Sequence, residues 1–306
     1  MAHSHGHGHS HAPASFGRAF AIGIALNVGF VIVEALYGRL SHSLALVADA
    51  GHNLSDVLGL LMAWGASVLA QRRPTLRRTY GLRRTSILAA LINAVVLLIA
   101  VGGIAWEALR RFSDPEPAAG ATVMVVAAIG VAINGVTALL FVSGRKDDLN
   151  IRGAFLHMAA DAGVSLGVVL AGLAILATGW QWLDPTVSLV IVAVIVVGTW
   201  GLLRDSVNLA LDAVPAGIDM HDVQDYLGTL PAVAEVHDLH VWAMSTTETA
   251  LTAHLVMPDT PADDAMLARV SGELHDRFGI EHTTLQIEHG DPAHPCSCCL
   301  APVHQS

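Results

Sequence analysis

Charged residues are scarce in this chain of 306 residues, because Asp, Glu, Lys and Arg together make up only 14% of it. In a typical soluble domain about a quarter of the residues are charged. Hydrophobic residues account for 53% of the chain, and the mean hydropathy is +0.55. These values exclude an ordinary soluble protein and predict a membrane protein.

Cysteine is rare as well, and all three cysteines lie within residues 296–299, near the C-terminus. We expect this segment to lie in the reducing cytosol, where structural disulfides are uncommon. A disulfide framework is therefore not expected. The CxxC pair of Cys296 and Cys299 instead predicts a thiolate chelate for a metal ion.

The chain lacks the short segments of alternating polar and apolar residues that are typical of a transmembrane barrel. Its apolar residues form continuous blocks of about 20 residues or more, the length that a helix needs to cross ~30 Å of hydrocarbon. We predict an α-helical membrane protein with six transmembrane helices. No cleavable signal peptide is expected, because the N-terminus lacks a basic region. The blocks are residues 17–38, 44–70, 86–109, 119–143, 153–178 and 184–203.

Basic residues near the ends of these blocks are unevenly distributed. Ten follow the second, fourth and sixth blocks, and three lie on the opposite side, which by the positive-inside rule places both termini in the cytoplasm. The adjacent Arg110 and Arg111 are an exception to this bias. Since no organelle signal is evident, a bacterial inner membrane is expected. The ten residues are Arg72, Arg73, Arg77, Arg78, Arg83, Arg84, Arg145, Lys146, Arg152 and Arg204.

The N-terminal tract "MAHSHGHGHSHA" alternates histidine with Gly, Ser and Ala, a composition that cannot form a packed core. It predicts a flexible cytoplasmic tail, residues 1–15, that binds Zn²⁺ or similar ions loosely; the alternative is a cloning tag. The net charge of −10 says little about partners, because 17 histidines can offset it, but the absence of a long basic run outside the membrane loops argues against a nucleic-acid partner. The tail histidines are His3, His5, His7, His9 and His11.

The composition changes after the sixth block, where long apolar runs end and Asp, Glu, His and Pro become common. Periodicity and punctuation predict a small α+β domain with helices on one face of a short sheet. We expect a transmembrane domain over residues 16–208, this domain over 209–291 and a Cys-containing tail over 292–306. The predicted elements are helix Asp219–Leu230, strand Val236–Met244, strand Ala250–Met257, helix Asp263–Phe278 and strand Thr283–His289.

Two His/Asp pairs stand inside apolar blocks: His52 with Asp56, and His157 with Asp161. A spacing of four residues places both side chains of a pair on one helix face. Ionisable groups in a bilayer are costly unless they are paired or bind a metal, so they indicate a functional site. If the second and fifth helices pack together, the four side chains form the tetrahedral set that Zn²⁺ prefers. The alternative is that each pair only links helices by hydrogen bonds.

Other polar residues in the blocks have a less specific meaning. Asp49, one turn before His52, is either an outer hydrogen-bonding partner of the site or a helix-end carboxylate. Intramembrane Asn27, Asn93 and Asn134 are more typical of links between helices than of ion ligands.

Two catalytic motifs are missing. Without HExxH the arrangement of an intramembrane zinc protease is missing, and without GxxxxGK[ST] the sequence favours transport that is not driven by ATP. Transport must then be driven by another source of free energy. A histidine loses its proton to bind a metal and regains it on release, so protons and metal compete for the same site. This competition predicts a metal/proton antiporter rather than an enzyme.

The sequence resembles the cation diffusion facilitator family of metal/proton antiporters, in particular its zinc-exporting branch. The resemblance covers nearly the whole chain and rests on "SLALVADAGHNLSDVLGL", "YGLRRTSILAALINA", "GAFLHMAADAGVSLGVV", "LDPTVSLVI", "VHDLHVWAM" and "TAHLVM". It implies six transmembrane helices, a ferredoxin-like, metallochaperone-like cytoplasmic domain, and a homodimer that exchanges Zn²⁺ for H⁺ by alternating access. The family's transport site falls on His52, Asp56, His157 and Asp161. A histidine at position 52 implies a preference for zinc over cadmium.

The resemblance also implies a cytosolic zinc site that regulates transport. Similar family members bind zinc through residues matching His237, His254 and Glu288, joined by Cys296 and Cys299; other relatives use the positions of His289 and Asp291. We expect His240 to be a packing or surface residue. His221, His275 and His282 are expected at the surface.

Two other functions remain open at this point. A membrane-anchored zinc sensor or storage protein would use the tail and the α+β domain, but it would not need two buried His/Asp pairs. An intramembrane zinc hydrolase needs an open coordination position, which four protein ligands would close. The substrate is also open, because Cd²⁺, Co²⁺ or Ni²⁺ can occupy a site with two imidazoles and two carboxylates.

Overall fold

The computed structural model describes residues 17–70, 72–114, 116–141, 149–258 and 263–290. Each of the six predicted apolar blocks coincides with a long helix. Among the described residues, four of these helices, α3 to α6, are long and apolar enough to cross a membrane. The helices are α1 (Gly17–Leu40), α2 (Leu44–Ala70), α3 (Thr85–Ser113), α4 (Gly120–Phe141), α5 (Leu149–Thr178) and α6 (Leu183–Ala210). A helical membrane domain is thus confirmed, and the count of six spans stays a prediction.

The chain divides into two compact units, and each unit takes part of α2 and of α3. The first contains the described residues up to Leu60 together with Val96–Thr199. The second contains Leu61–Val95 and the described residues from Trp200 onward.

The core of the first unit is formed by small and branched side chains from several helices, including Ala45, Leu46 and Val168. Helices α4 and α5 approach closely where Gly120 faces Gly172. A Cβ atom on Gly172 would stand 2.8 Å from the backbone nitrogen of Met124. Small residues at helix contacts allow such close backbone packing, which replaces the hydrophobic effect as the stabilising contribution within a bilayer.

The second unit contains a three-stranded sheet with two short helices. Strand β1 (Glu235–Ala243) pairs antiparallel with β2 (Thr249–Val256), and β2 pairs parallel with β3 (His282–Glu288). Helix α7 (Met220–Gly228) precedes the sheet, and α8 (Asp264–Phe278) forms the crossover between the two parallel strands. The predicted α+β domain is confirmed, with element ends within about two residues of those expected.

The boundaries of α7 and α8 follow from their capping residues. Asp219 accepts a hydrogen bond from the His221 backbone N–H, and Asp263 accepts one from that of Met266. These carboxylates satisfy helix-end donors. Helix α8 ends at Gly279, whose φ of 66° is left-handed and favours glycine. The apolar sides of both helices meet the strands in one core of Val223, Leu227, Leu251, Leu255, Val270 and Leu274.

Candidate metal sites

Helices α2 and α5 bring His52 and Asp161 together. The Nε2 atom of His52 lies 3.4 Å from Oδ1 of Asp161, although the two residues are more than a hundred positions apart. The Asp161 side chain is only 2% exposed and that of His52 is 20% exposed. An imidazole and a carboxylate at this separation can bind one metal ion between them.

The other half of the predicted four-residue site is known only by its place on the helices. Asp56 lies one turn after His52 on α2, and His157 lies one turn before Asp161 on α5. The side chains of Asp56 and His157 fall outside the part that the structure describes. The four-residue site therefore stays a prediction.

A buried polar network lies beside this pair. Ser165, one turn after Asp161 on α5, donates a hydrogen bond of 3.0 Å to Oδ2 of Asp49 on α2. Asp49 also contacts the carboxyl group of Glu34 on α1, which accepts a hydrogen bond of 3.3 Å from the amide of Asn53. Both carboxyl groups are fully buried. Asp49 is thus hydrogen-bonded to Ser165 and Glu34, and its role as an outer partner of the metal site stays a prediction.

Glu34 was not singled out by the sequence reasoning. It is an acidic residue within the first apolar block, so the rule that identified His52 and Asp161 applies to it equally. The sequence does not reveal the partners of Glu34, because Asn53 and Asp49 lie on a different helix. Of the three intramembrane asparagines, Asn27 joins α1 to α5 through a contact of 3.7 Å with the sulfur of Met158.

A second network joins the start of α2 to the start of α6 and the end of α3. Asp184 on α6 accepts hydrogen bonds from the Ser43 hydroxyl at 2.5 Å and from the Leu44 backbone N–H at 2.7 Å. A carboxylate at this position caps α2 and complements the positive end of its dipole. Arg111 lies 3.8 Å from Asp184 and 3.1 Å from Glu116.

One of the two arginines that form the exception to the charge bias lies in this network. The Arg111 side chain is only 10% exposed and is surrounded by the carboxylates of Glu107, Glu116 and Asp184. Arg110 lies 3.7 Å from the same Glu107. Arg111 is therefore a buried ion-pair partner, whereas the Arg110 side chain is 60% exposed and stays an exception.

The sheet of the α+β domain holds a second histidine and carboxylate cluster, with one residue from each strand. His237 on β1 is the register partner of His254 on β2, and Glu288 pairs with Val256 at the end of β3. One ligand atom from each of the three residues lies within 4.8 Å of the others. Oε1 of Glu288 is 2.9 Å from Nδ1 of His254, and Oε2 is 3.2 Å from Nε2 of His237. Two imidazoles and a carboxylate are a donor set that suits Zn²⁺.

The remaining predicted ligands do not join this cluster within the described residues. His289 directs its Nδ1 to the backbone carbonyl of Met257 at 3.2 Å. His240 lies 3.1 Å from Asp238. His221, His275 and His282 are exposed, as expected. Outside the described residues lie Asp291, Cys296, Cys299 and the tail histidines His3, His5, His7, His9 and His11.

Comparisons with known proteins match both parts of the chain. Residues 20–209 match the family model described as the cation efflux transmembrane domain. Residues 215–290 match the model described as the cytoplasmic domain of cation efflux proteins. Together the two models cover most of the chain.

Several curated bacterial proteins are similar over nearly their whole length. Zinc transporter ZitB of Escherichia coli is 37% identical over 303 residues, which is 98% of this chain and 96% of ZitB. A cadmium, cobalt and zinc/H(+)-K(+) antiporter of Bacillus velezensis is 35% identical over 276 residues, 89% of this chain and 88% of the antiporter. Metal cation efflux system protein CzcD of Cupriavidus metallidurans is 36% identical over 278 residues, 90% of this chain and 88% of CzcD.

Proposed function

We propose that this chain, which belongs to the cation diffusion facilitator family of membrane transporters, exports Zn²⁺ from the cytoplasm in exchange for protons. Members of the family transport metal cations and are not enzymes. The observation that carries the proposal is the 3.4 Å contact between His52 on α2 and Asp161 on α5. In the proposal, Asp56 and His157 complete a tetrahedral transport site from the same two helices.

The chemistry of these ligands provides the exchange. A histidine nitrogen must lose its proton before it can bind a metal, so zinc entry displaces a proton and proton binding favours zinc release. Histidine does this near neutral pH because its ordinary pKa is about 6.5. Alternating access to the two sides of the membrane then converts this competition into coupled transport. Asp49 and Glu34, the buried partners beside the site, would hold α1, α2 and α5 in the geometry that the ligands need.

Zinc is the substrate that the relatives and the ligands favour together. ZitB is named as a zinc transporter, and two imidazoles with two carboxylates suit the tetrahedral preference of Zn²⁺. Cadmium or cobalt is the second candidate, because the relative from Bacillus velezensis is named for cadmium, cobalt and zinc. Affinity order alone does not separate these ions, so geometry must select among them.

The proposal places six spans in the bacterial plasma membrane, with both termini and the α+β domain in the cytoplasm. The match to the cytoplasmic domain of cation efflux proteins supports this placement and a homodimer assembled through that domain. In that arrangement His237, His254 and Glu288 would bind cytosolic zinc and regulate transport. The predicted tails, residues 1–15 and 292–306, would add weaker zinc ligands.

Transport by reconstituted protein tests the proposal. Purified protein in lipid vesicles, with an imposed proton gradient, should take up radioactive Zn²⁺ at a rate set by that gradient. Asp161→Ala should reduce the rate by more than about 100-fold, because loss of an outer hydrogen-bonding partner already reduces the activity of metal sites 10–100-fold. Asp205→Asn, which neutralises an exposed carboxylate on α6, is the control and should transport normally.

The proposal fails if the rate of zinc uptake does not depend on the proton gradient. It also fails if Asp161→Ala and Asp205→Asn take up zinc at the same rate. A variant without residues 1–12 separates transport from tail binding, because gradient-driven uptake should persist without the tail. Zinc binding that is equal in all variants and never depends on the gradient would indicate an anchored zinc sensor instead.

A further inference from the structure

Strand β1 contains an irregularity beside the cytoplasmic cluster. Its register to β2 shifts between His237 and His240. Within this interval Asp238 has a φ of 49°, a left-handed conformation that Asp adopts more readily than most residues. Such a bulge redirects side chains out of the regular alternation of a strand.

The bulge places the Asp238 carboxylate beside His254. In a regular strand, consecutive residues point to opposite faces, so Asp238 would point away from the face of His237. Instead, Oδ2 of Asp238 lies 3.6 Å from Nε2 of His254, which is the cross-strand partner of His237. The Asp238 side chain is largely buried, with 16% exposed.

His254 therefore has a different carboxylate at each ring nitrogen. Its Nδ1 faces Glu288, which also reaches His237, so Nδ1 is the nitrogen on the side of the metal cluster. Its Nε2 faces away from that cluster, toward Asp238. A metal-bound histidine usually donates its second ring N–H to a carboxylate or carbonyl, which fixes the tautomer and the ring orientation.

We propose that Asp238 is the positioning residue of the cytoplasmic metal site. In the zinc-loaded site its carboxylate would accept the Nε2–H of His254, which leaves Nδ1 unprotonated and directed at the metal. The 3.6 Å separation must shorten by about 0.6 Å to reach the ~3.0 Å of an N–H···O hydrogen bond. When a metal ion replaces the contact between Nδ1 of His254 and Glu288, a small rotation of the His254 ring toward Asp238 would shorten the separation by this amount.

Asp238 is itself held from the other side. Its Oδ1 lies 3.1 Å from Nε2 of His240, whose side chain is 41% exposed. The carboxylate thus joins a surface histidine to the metal-side histidine. His240 is expected to restrict the rotation of the Asp238 carboxylate, and its loss should have a smaller effect than loss of Asp238.

This inference rests on the proposed cytoplasmic metal site, and its test separates the two. Full-length protein labelled with ¹⁵N-histidine would be studied by solid-state NMR in lipid bilayers, loaded with Zn²⁺ and at a pH of about 8, where ordinary imidazoles are neutral. His254→Gln identifies the His254 signals by difference. We expect zinc-loaded wild type to carry the proton of His254 on Nε2, and we expect Asp238→Gly to lose that preference. Glycine is chosen because it accepts the left-handed backbone without strain.

A second measurement follows the metal itself. Competition with a chromophoric zinc chelator gives the zinc that each variant retains, and the portion lost in His254→Gln belongs to the cytoplasmic site. Asp238→Gly should weaken that portion by about 10–100-fold. Asp238→Asn, which keeps an acceptor oxygen but not the charge, should fall between Asp238→Gly and wild type. His240→Gln should change the affinity by less than Asp238→Asn.

The outcomes distinguish the two proposals. If His254→Gln releases no zinc, the cytoplasmic site itself is wrong and the role of Asp238 falls with it. If His254→Gln releases zinc but Asp238→Gly leaves both the tautomer and the affinity unchanged, the site stands and the role of Asp238 is overturned. If Asp238→Gly binds zinc more weakly but keeps the tautomer of His254, Asp238 has only a structural role and its role in positioning His254 is overturned.

Discussion

The helix pair and the sheet cluster present the same types of side chain on different supports. His52 and Asp161 project from two helices, whereas His237, His254 and Glu288 stand on three strands joined by backbone hydrogen bonds. Strands in a ladder keep their register, so the ligands of the cluster stay together. Packed helices can shift past each other between discrete arrangements. A site between helices can therefore change its geometry during a transport cycle, while a site on a sheet is suited to sensing.

The neighbouring polar residues of the two sites also differ, because they lie on several helices in one case and on a single strand in the other. The polar residues beside the helix pair, Asp49 and Glu34, are fully buried and link three helices through hydrogen bonds. The partner of the cytoplasmic cluster, Asp238, comes from the same strand as one of the ligands. Loss of a membrane partner should therefore disturb the relation between helices, whereas loss of Asp238 should act on a single ring.

The largest of these effects is expected at Asp49. Asp49→Ala removes the acceptor of the Ser165 hydrogen bond and leaves buried polar groups unpaired, so we expect proton-driven zinc uptake to fall about 10–100-fold. Ser165→Ala should cause a smaller loss. The double variant should lose less than the product of the two single losses, because both changes remove one interaction. Vesicle uptake assays measure all three rates.

A matched control is available on α6. Ser188 is also fully buried, and its hydroxyl has no hydrogen-bond partner among the described residues. Ser188→Ala should therefore leave uptake near the wild-type rate. An equal loss in Ser188→Ala and Ser165→Ala would mean that burial of a serine, and not the contact with Asp49, matters.

The next effect concerns the close contact of α4 and α5, the helix that carries Asp161. Gly172→Ala would place a Cβ atom 2.8 Å from the Met124 backbone nitrogen, so the helices must separate. We expect a loss of about 1–3 kcal/mol in the free energy of unfolding, as for other overpacked positions. Thermal unfolding in detergent measures the change. The control is Gly167→Ala on the same helix, where the added Cβ meets nothing within 4 Å; similar Tm values for the two variants would contradict the prediction.

The sequence predicted more about elements and ligand types than about contacts. Continuous apolar runs located the long helices, and periodicity located the elements of the α+β domain. Helix geometry alone places His52 and Asp56, four residues apart, on one face. The contact of Glu34 with Asp49 and the burial of Arg111 depend on how distant segments pack, which local patterns do not encode. The bulge at Asp238 is a shift in strand register that leaves no signal in a short run of apolar and polar residues.

The smallest expected effect separates the two sites directly. His254→Gln removes a ligand from the sheet cluster but leaves the helix pair intact. We expect the maximal uptake rate to stay within about twofold of wild type, while the zinc concentration needed for half-maximal uptake rises about fivefold, the lower end of typical coupling between sites. His221→Gln, at an exposed position on α7, is the matched control and should change neither value. A maximal rate as low as that of Asp161→Ala would mean that the cluster belongs to the transport path and that the contrast between helices and strands does not separate transport from sensing.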